Sequence, residues 1–203
     1  MVVMGGSAEK KLYYERTLPH WQPEGKDLFL TWRLHGSLPA KVMQALRASK
    51  TKEMGKRFRE FDLELDRAKT GPLWLGDPRI ADIVVAELVQ LEKSGLARLH
   101  AWVVMANHLH LLIRSQAAMA EITRKIKGRT ARRANLLLGR VGKAFWQDES
   151  FDHWIRNEGE SEKVKKYIER NPVAAGLVKE EKDWKWSSAA GEKPQAEACA
   201  TVK

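Results

Sequence analysis

Residues 97–113 read ARLHAWVVMANHLHLLI. Two apolar runs, Ala97 to Met105 and His108 to Ile113, flank the turn-sized pair Ala106-Asn107, which predicts a hairpin or two closely linked strands. On the second strand, period two puts His108 and His110 on one face and Leu109 and Leu111 on the other. Two imidazoles on one rigid strand can converge on a divalent ion and leave positions open for a third ligand and substrate oxygens. The same short pattern also describes two histidines on a half-buried strand.

Working outward, Asp27 to Leu38 (DLFLTWRLHGSL) alternates, with Leu28, Leu30, Trp32 and Leu34 on one side and Phe29, Thr31, Arg33 and His35 on the other, and reads as a strand. A helix is expected over Lys41 to Lys69, before breaks at Gly71-Pro72 and Gly76-Asp77-Pro78. Ile80, Val84, Leu88 and Leu91 recur at helical spacing until Gly95 stops them. After the hairpin, a helix from about Met119 to Leu138 is expected, with Gly128 a candidate interruption. Ala144 to Arg156 reads as extended. Ser161 to Asn171 reads as a helix with Ser161 at its N-cap and Pro172 as its stop. The order β, α, ββ, α, β, α points to an α+β fold, a mainly antiparallel sheet with helices on one face.

The chain has 203 residues, 43% hydrophobic and 31% charged, enough for one domain with tails. Residues 1–26 look like an irregular arm, and 189–203 like a polar, flexible tail. No run is long and apolar enough for a bilayer. The opening residues are too short for a signal-peptide core, and Cys199 is the single cysteine, so a reducing cytoplasm is expected. Lys and Arg number 36 against 26 Asp and Glu, for a net charge of +10, which favours polyanions. Arg114 to Lys143 alone holds nine basic residues and one acid, Glu121, and suggests a phosphate-binding surface. Lys41 to Thr70 carries nine basic residues diluted by five acids, and reads as a solvated helical face.

Tyr167 and Asn171 are four apart and share a helical face with Val164 and Ile168. A phenol there could attack a phosphodiester polarised by a nearby cation, giving a phosphotyrosine ester. An amphipathic helix that packs Tyr167 into the core while Asn171 caps its end accounts for the same spacing.

Taken together, VVMANHLHLLI (103–113), the basic helix, FWQDESFDHWIR (145–156), YIERNPVAAGLV (167–178) and DWKWSS (183–188) resemble the single-tyrosine HUH transposases of the IS200-like group, and especially the REP-associated tyrosine transposases. The likeness runs from Asp27 to about Ser188. It implies a ferredoxin-like or RRM-like domain over 27–188, and a nuclease and strand transferase that works on single-stranded DNA at REP-like hairpins. By motif position, Tyr167 carries over as nucleophile and His108 and His110 as ligands of Mg²⁺ or Mn²⁺. Asn171 carries over as a third ligand. Arg124, Lys125, Lys127, Arg129, Arg132 and Arg133 would hold phosphates without reading sequence. Hairpin or single-stranded DNA is then the partner, a homodimer is compatible, and a nucleoid-associated location follows. Ala106, Glu169 and Ala174 depart from the residues frequent at their positions, which leaves the DNA sequence read by the domain open. His153 and Arg156 lie in a matching motif without a catalytic role. A noncatalytic single-stranded nucleic-acid-binding regulator built on the same fold is the competing reading.

Overall fold

The computed structural model describes residues 13–15, 19–21, 25–48, 54–67 and 71–190. Its centre is a four-stranded antiparallel sheet in the order β4-β5-β3-β6, where β3 is Asp27–Arg33, β4 Ala97–Val104, β5 His108–Ser115 and β6 Phe151–Trp154. A separate short pair, β1 (Tyr13–Glu15) and β2 (Pro19–Trp21), lies within the segment expected to be irregular. The expected polar tail falls outside the described residues from 191 onward, as does Cys199.

The alternation in β3 sorts its side chains as the sequence predicts. Leu28, Leu30, Trp32 and Leu34 join Leu109, Leu111 and Ile113 in the larger core. That core is roofed by α3 (Pro78–Lys93) through Ile80, Val84 and Leu88, and by α4 (Met119–Leu137) through Ile122 and Ile126. Fully burying each Leu or Ile contributes roughly 1.5–3 kcal/mol. These two helices form the expected layer on one face, and the element order with its crossovers is ferredoxin-like.

The opposite face is covered as well. Phe29 and Leu112 pack there with Ile168 of α5 (Glu158–Ala174) and Phe58 of α2 (Met54–Arg67). The single helix expected over 41–69 is therefore two, α1 (Ala40–Ala48) and α2.

Three helix-end expectations differ from the structure. Gly128 does not interrupt α4. Helix α5 begins three residues before Ser161, because Asn157 takes the N-cap role, its side chain accepting from the backbone of Glu160. Pro172 does not stop α5, which ends at Ala174. Proline forfeits its own N–H bond and crowds the carbonyl of Ile168, but its φ is helical, and the stop comes at Gly176 (φ 72°), where Gly176 and Leu177 donate back to the carbonyls of Val173 and Pro172.

Candidate active site

The register of β5 fixes the histidines. Thr31 of β3 faces His110 and Arg33 faces His108, so both imidazoles stand on the face covered by α2 and α5, and both are fully buried. Their Nε2 atoms are 3.1 Å apart.

Each ring is oriented from behind. Asn107 donates from Nδ2 to the carbonyl of Leu65 at 2.8 Å, which turns its Oδ1 toward His108 Nδ1 at 2.7 Å. An amide oxygen only accepts, so His108 carries its proton on Nδ1 and leaves the Nε2 lone pair for a ligand. His110 Nδ1 lies 2.9 Å from the hydroxyl of Thr31, a group able to donate or accept, so this ring can take either tautomer. Burial first, and then the neighbouring His110, pulls His108 down to about 3, which keeps the ring neutral and competent as a ligand.

A third chemistry-bearing residue comes from α2. Asp62 Oδ1 lies 3.0 Å from His110 Nε2 and 3.8 Å from His108 Nε2, off the axis of a hydrogen bond. Asp62, His108 and His110 form a buried group that could hold a divalent metal. Their edges of 3.0, 3.1 and 3.8 Å compare with the roughly 3.0 Å edge of an octahedron whose metal–ligand distance is about 2.1 Å. Buried oxygens without a hydrogen-bond partner point to the same fit: Asp62 Oδ1, Asp66 Oδ1 and Asn171 Oδ1. Lone pairs left unpaired in a buried pocket are costly unless a cation takes them up.

The carboxyls respond in opposite directions. Burial pulls Asp62 upward, but the His110 ring, His108 and the Asn171 amide outweigh it and hold Asp62 below the ordinary carboxylate value. Asp66, one turn later, is pushed up to about 7 by burial and by the charge of Asp62.

Tyr167 arrives from α5. Its ring packs against Phe58 and His110 at centroid distances of 5.7 and 5.9 Å, and its hydroxyl donates to Asp62 Oδ2. Asn171, one turn on, donates from Nδ2 to the same Oδ2 at 3.3 Å. The structure thus brings together His108, His110, Tyr167 and Asn171, with Asp62 standing between Asn171 and the histidines. Sequence reasoning missed Asp62 and Asp66.

The basic residues of α4 do not join this group, because α4 covers the other face of the sheet. Arg124, Arg129 and Arg132 are exposed there. Lys125 pairs with Glu121 at 2.7 Å, and Arg133 and Arg129 reach Glu87 of α3 at 3.1 and 3.5 Å. Lys127 turns inward and donates to the carbonyls of Gln147 and Asp148 at 2.9 and 3.4 Å, its pKa drawn down to about 8 by burial.

Two histidines spaced i, i+2 on an inner strand are thus set near a tyrosine and an amide from a later helix. Residues 80–171 match the family described as transposase IS200 like. The IS200-like segment holds both histidines, Tyr167 and Asn171, and begins after Asp62. The REP-associated tyrosine transposase of Escherichia coli (strain K12) is 28% identical over 104 residues, 50% of this chain and 59% of that protein, so the match spans less than two thirds of the relative's length. A solved structure described as the REP-associated tyrosine transposase bound to a REP hairpin aligns over 86% of this chain and 80% of its own, with a TM-score of 0.53 and 20% identity. The fold of that structure thus extends over most of the chain. Among the described residues, no helix is long and apolar enough to cross a membrane.

Proposed function

We propose that the protein is a transposase-type enzyme that cleaves and rejoins single-stranded DNA at hairpin ends through a covalent 5′-phosphotyrosine intermediate, with residues 27–188 as the catalytic unit. The observation that carries this reading is the meeting of the Tyr167 hydroxyl with Asp62, beside His108 and His110. The hairpin bound by the structurally similar transposase supports the choice of substrate.

Tyr167 is the nucleophile. Its oxygen forms a bond to phosphorus while the bond from phosphorus to the 3′ oxygen breaks, and that oxygen leaves as a 3′ hydroxyl. Asp62 Oδ2 accepts the phenol hydrogen bond and orients the hydroxyl, and the proton lost from the phenol balances the one taken up by the leaving 3′ oxygen. His108, His110 and Asp62 would hold a divalent cation, with the carbonyl oxygen of Asn171 as a further ligand, and the cation would polarise the phosphodiester and stabilise charge on its oxygens. Two imidazoles with carboxylate and amide oxygens suit Mn²⁺ better than Mg²⁺, which prefers an all-oxygen shell. Asn107 and Thr31 hold the imidazoles in position throughout. Attack by a second 3′ hydroxyl on the phosphotyrosine reverses the first step and joins strands without an external energy source. Arg124, Lys125, Lys127, Arg129, Arg132 and Arg133 would serve the flanking DNA from the far face, the exposed arginines by contacting phosphates and Lys127 by bracing the 147–148 backbone.

The test is incubation with hairpin-flanked single-stranded oligonucleotides and Mn²⁺ or Mg²⁺, followed by denaturing electrophoresis. A denaturation-resistant protein–DNA band that Tyr167→Phe abolishes, with binding retained, supports the reading. Binding without an adduct across a broad oligonucleotide library identifies a noncatalytic DNA-binding regulator instead.

A further inference from the structure

The chemistry above leaves unused a cavity of about 600 Å³ that opens beside Tyr167. Its size falls in the range of small-ligand sites. Its walls come from residues 151–156, which the cleavage reading does not employ, and from α2 and α5. Phe151, Phe58 and Val164 line the apolar side. Phe58 and Phe151 pack with centroids 4.7 Å apart, and Phe58 meets Phe29 edge-on at 4.9 Å, which makes a firm aromatic wall with Phe151 its half-buried member. Arg59, Arg156 and Lys163 stand exposed around the opening. Glu160, the acid lining the cavity, is already engaged by His153 at 2.9 Å and by the backbone N–H of Arg156 at 2.7 Å. An apolar aromatic interior under a cationic rim is complementary to a flat, neutral ring attached to a phosphate chain.

We propose that this cavity receives one unpaired nucleobase of the strand presented to Tyr167, with Arg59, Arg156 and Lys163 holding the phosphates on either side. This rests on the strand-cleaving reading of the same site. Because Tyr167 itself lines the cavity, a base seated there lies next to the phosphate under attack. A stacked duplex cannot enter, so the cavity selects single-stranded or flipped nucleotides. Gly55 supplies the means to test it, because it lines the cavity and a Cβ at this position would meet no atom within 4 Å.

The experiment compares, by fluorescence anisotropy on the full chain, a labelled oligothymidylate of about 15 nucleotides with an abasic phosphodiester strand of equal length and charge. The wild-type protein is expected to favour the base-bearing strand by about tenfold, the scale of one stacked base. Gly55→Leu should erase most of that preference and leave affinity for the abasic strand unchanged, and Phe151→Ala should act in the same direction. Lys163→Ala should weaken both strands equally. Equal wild-type affinity for the two strands, or a full preference retained in Gly55→Leu, overturns the proposal. Adduct formation is scored separately on the same preparations. No base preference in the wild type with an intact adduct removes the cavity alone, whereas a wild-type base preference without an adduct removes the cleavage reading and leaves the cavity as a base-binding site.

Discussion

The hydroxyl of Tyr167 donates its hydrogen bond to the carboxylate of Asp62, 105 positions earlier in the chain. That carboxylate also accepts from Asn171 and faces both histidines, so one side chain of α2 touches every group to which the site assigns chemistry. Replacing it should be felt first in metal binding. Asp62→Ala is expected to lower Mn²⁺ affinity at least tenfold in titration calorimetry while the far-UV circular dichroism stays the same. An unchanged affinity would remove Asp62 from the ligand set.

Asn107 carries no metal-binding atom of its own in this arrangement, yet it fixes the tautomer of His108 and ties β5 to α2 through the carbonyl of Leu65. Asn107→Ala leaves that carbonyl and the His108 Nδ1–H without partners in a buried setting, at a cost of about 1–3 kcal/mol for each group. Urea unfolding should report the loss. Mn²⁺ affinity should fall by about 10- to 100-fold, as expected when a metal-binding imidazole loses its orienting partner.

The pH dependence of the metal-free protein is a balance of two opposed groups. His108, held at about 3, makes stability fall as the pH drops from about 6.5, because the unfolded chain takes up the proton first. Asp66, raised to about 7, acts the other way: between about 4 and 7 the folded protein keeps a proton that the unfolded chain has released, so stability falls as pH rises. Asp66→Asn removes the second contribution alone. Its urea midpoint should therefore climb more steeply than the wild type's between about pH 4.5 and 6.5, and parallel curves would mean that Asp66 ionises normally.

The exposed arginines of α4 sit across the sheet from Tyr167, which separates affinity from chemistry. Arg124→Ala and Arg132→Ala should each reduce the salt slope of DNA binding by about one and weaken binding uniformly across sequences. At saturating DNA the rate of adduct formation should be unaltered. A variant slow in adduct formation at saturation would place α4 in the cleavage step.

Much of this architecture is legible in the sequence, because the decisive signals are local. Period two in residues 27–34 and 108–113 assigns each side chain to its sheet face, and the i, i+4 spacing of Tyr167 and Asn171 puts them on one side of α5. Pro172 misleads because its ring fixes a φ that the helix also uses, so the chain can run on past it, and the actual stop needs the left-handed Gly176. The larger omission is α2. With nine basic and five acidic residues over 41–70, the segment resembles a solvated face, and the charge sum conceals what matters. Phe58, Asp62 and Leu65 follow helical spacing and are all buried, so Asp62 is an acid set into an apolar stripe. That is a recognisable signal. Its destination is not, because no local rule says that this stripe closes over two histidines more than forty residues further on.

Strand β5 is hydrogen-bonded to β3 along one edge and to β4 along the other, whereas α2 turns Lys56, Arg59, Glu60, Leu63 and Arg67 to solvent. The two halves of the metal group therefore belong to parts of the molecule with unequal resistance to opening. In deuterium exchange, the amides of 109–113 should be the slow ones and those of α2 the fast. Opening of α2 would withdraw the carboxylate while the imidazoles keep their spacing, and on the proposed cleavage that is how a strand would be admitted without dismantling the histidine pair.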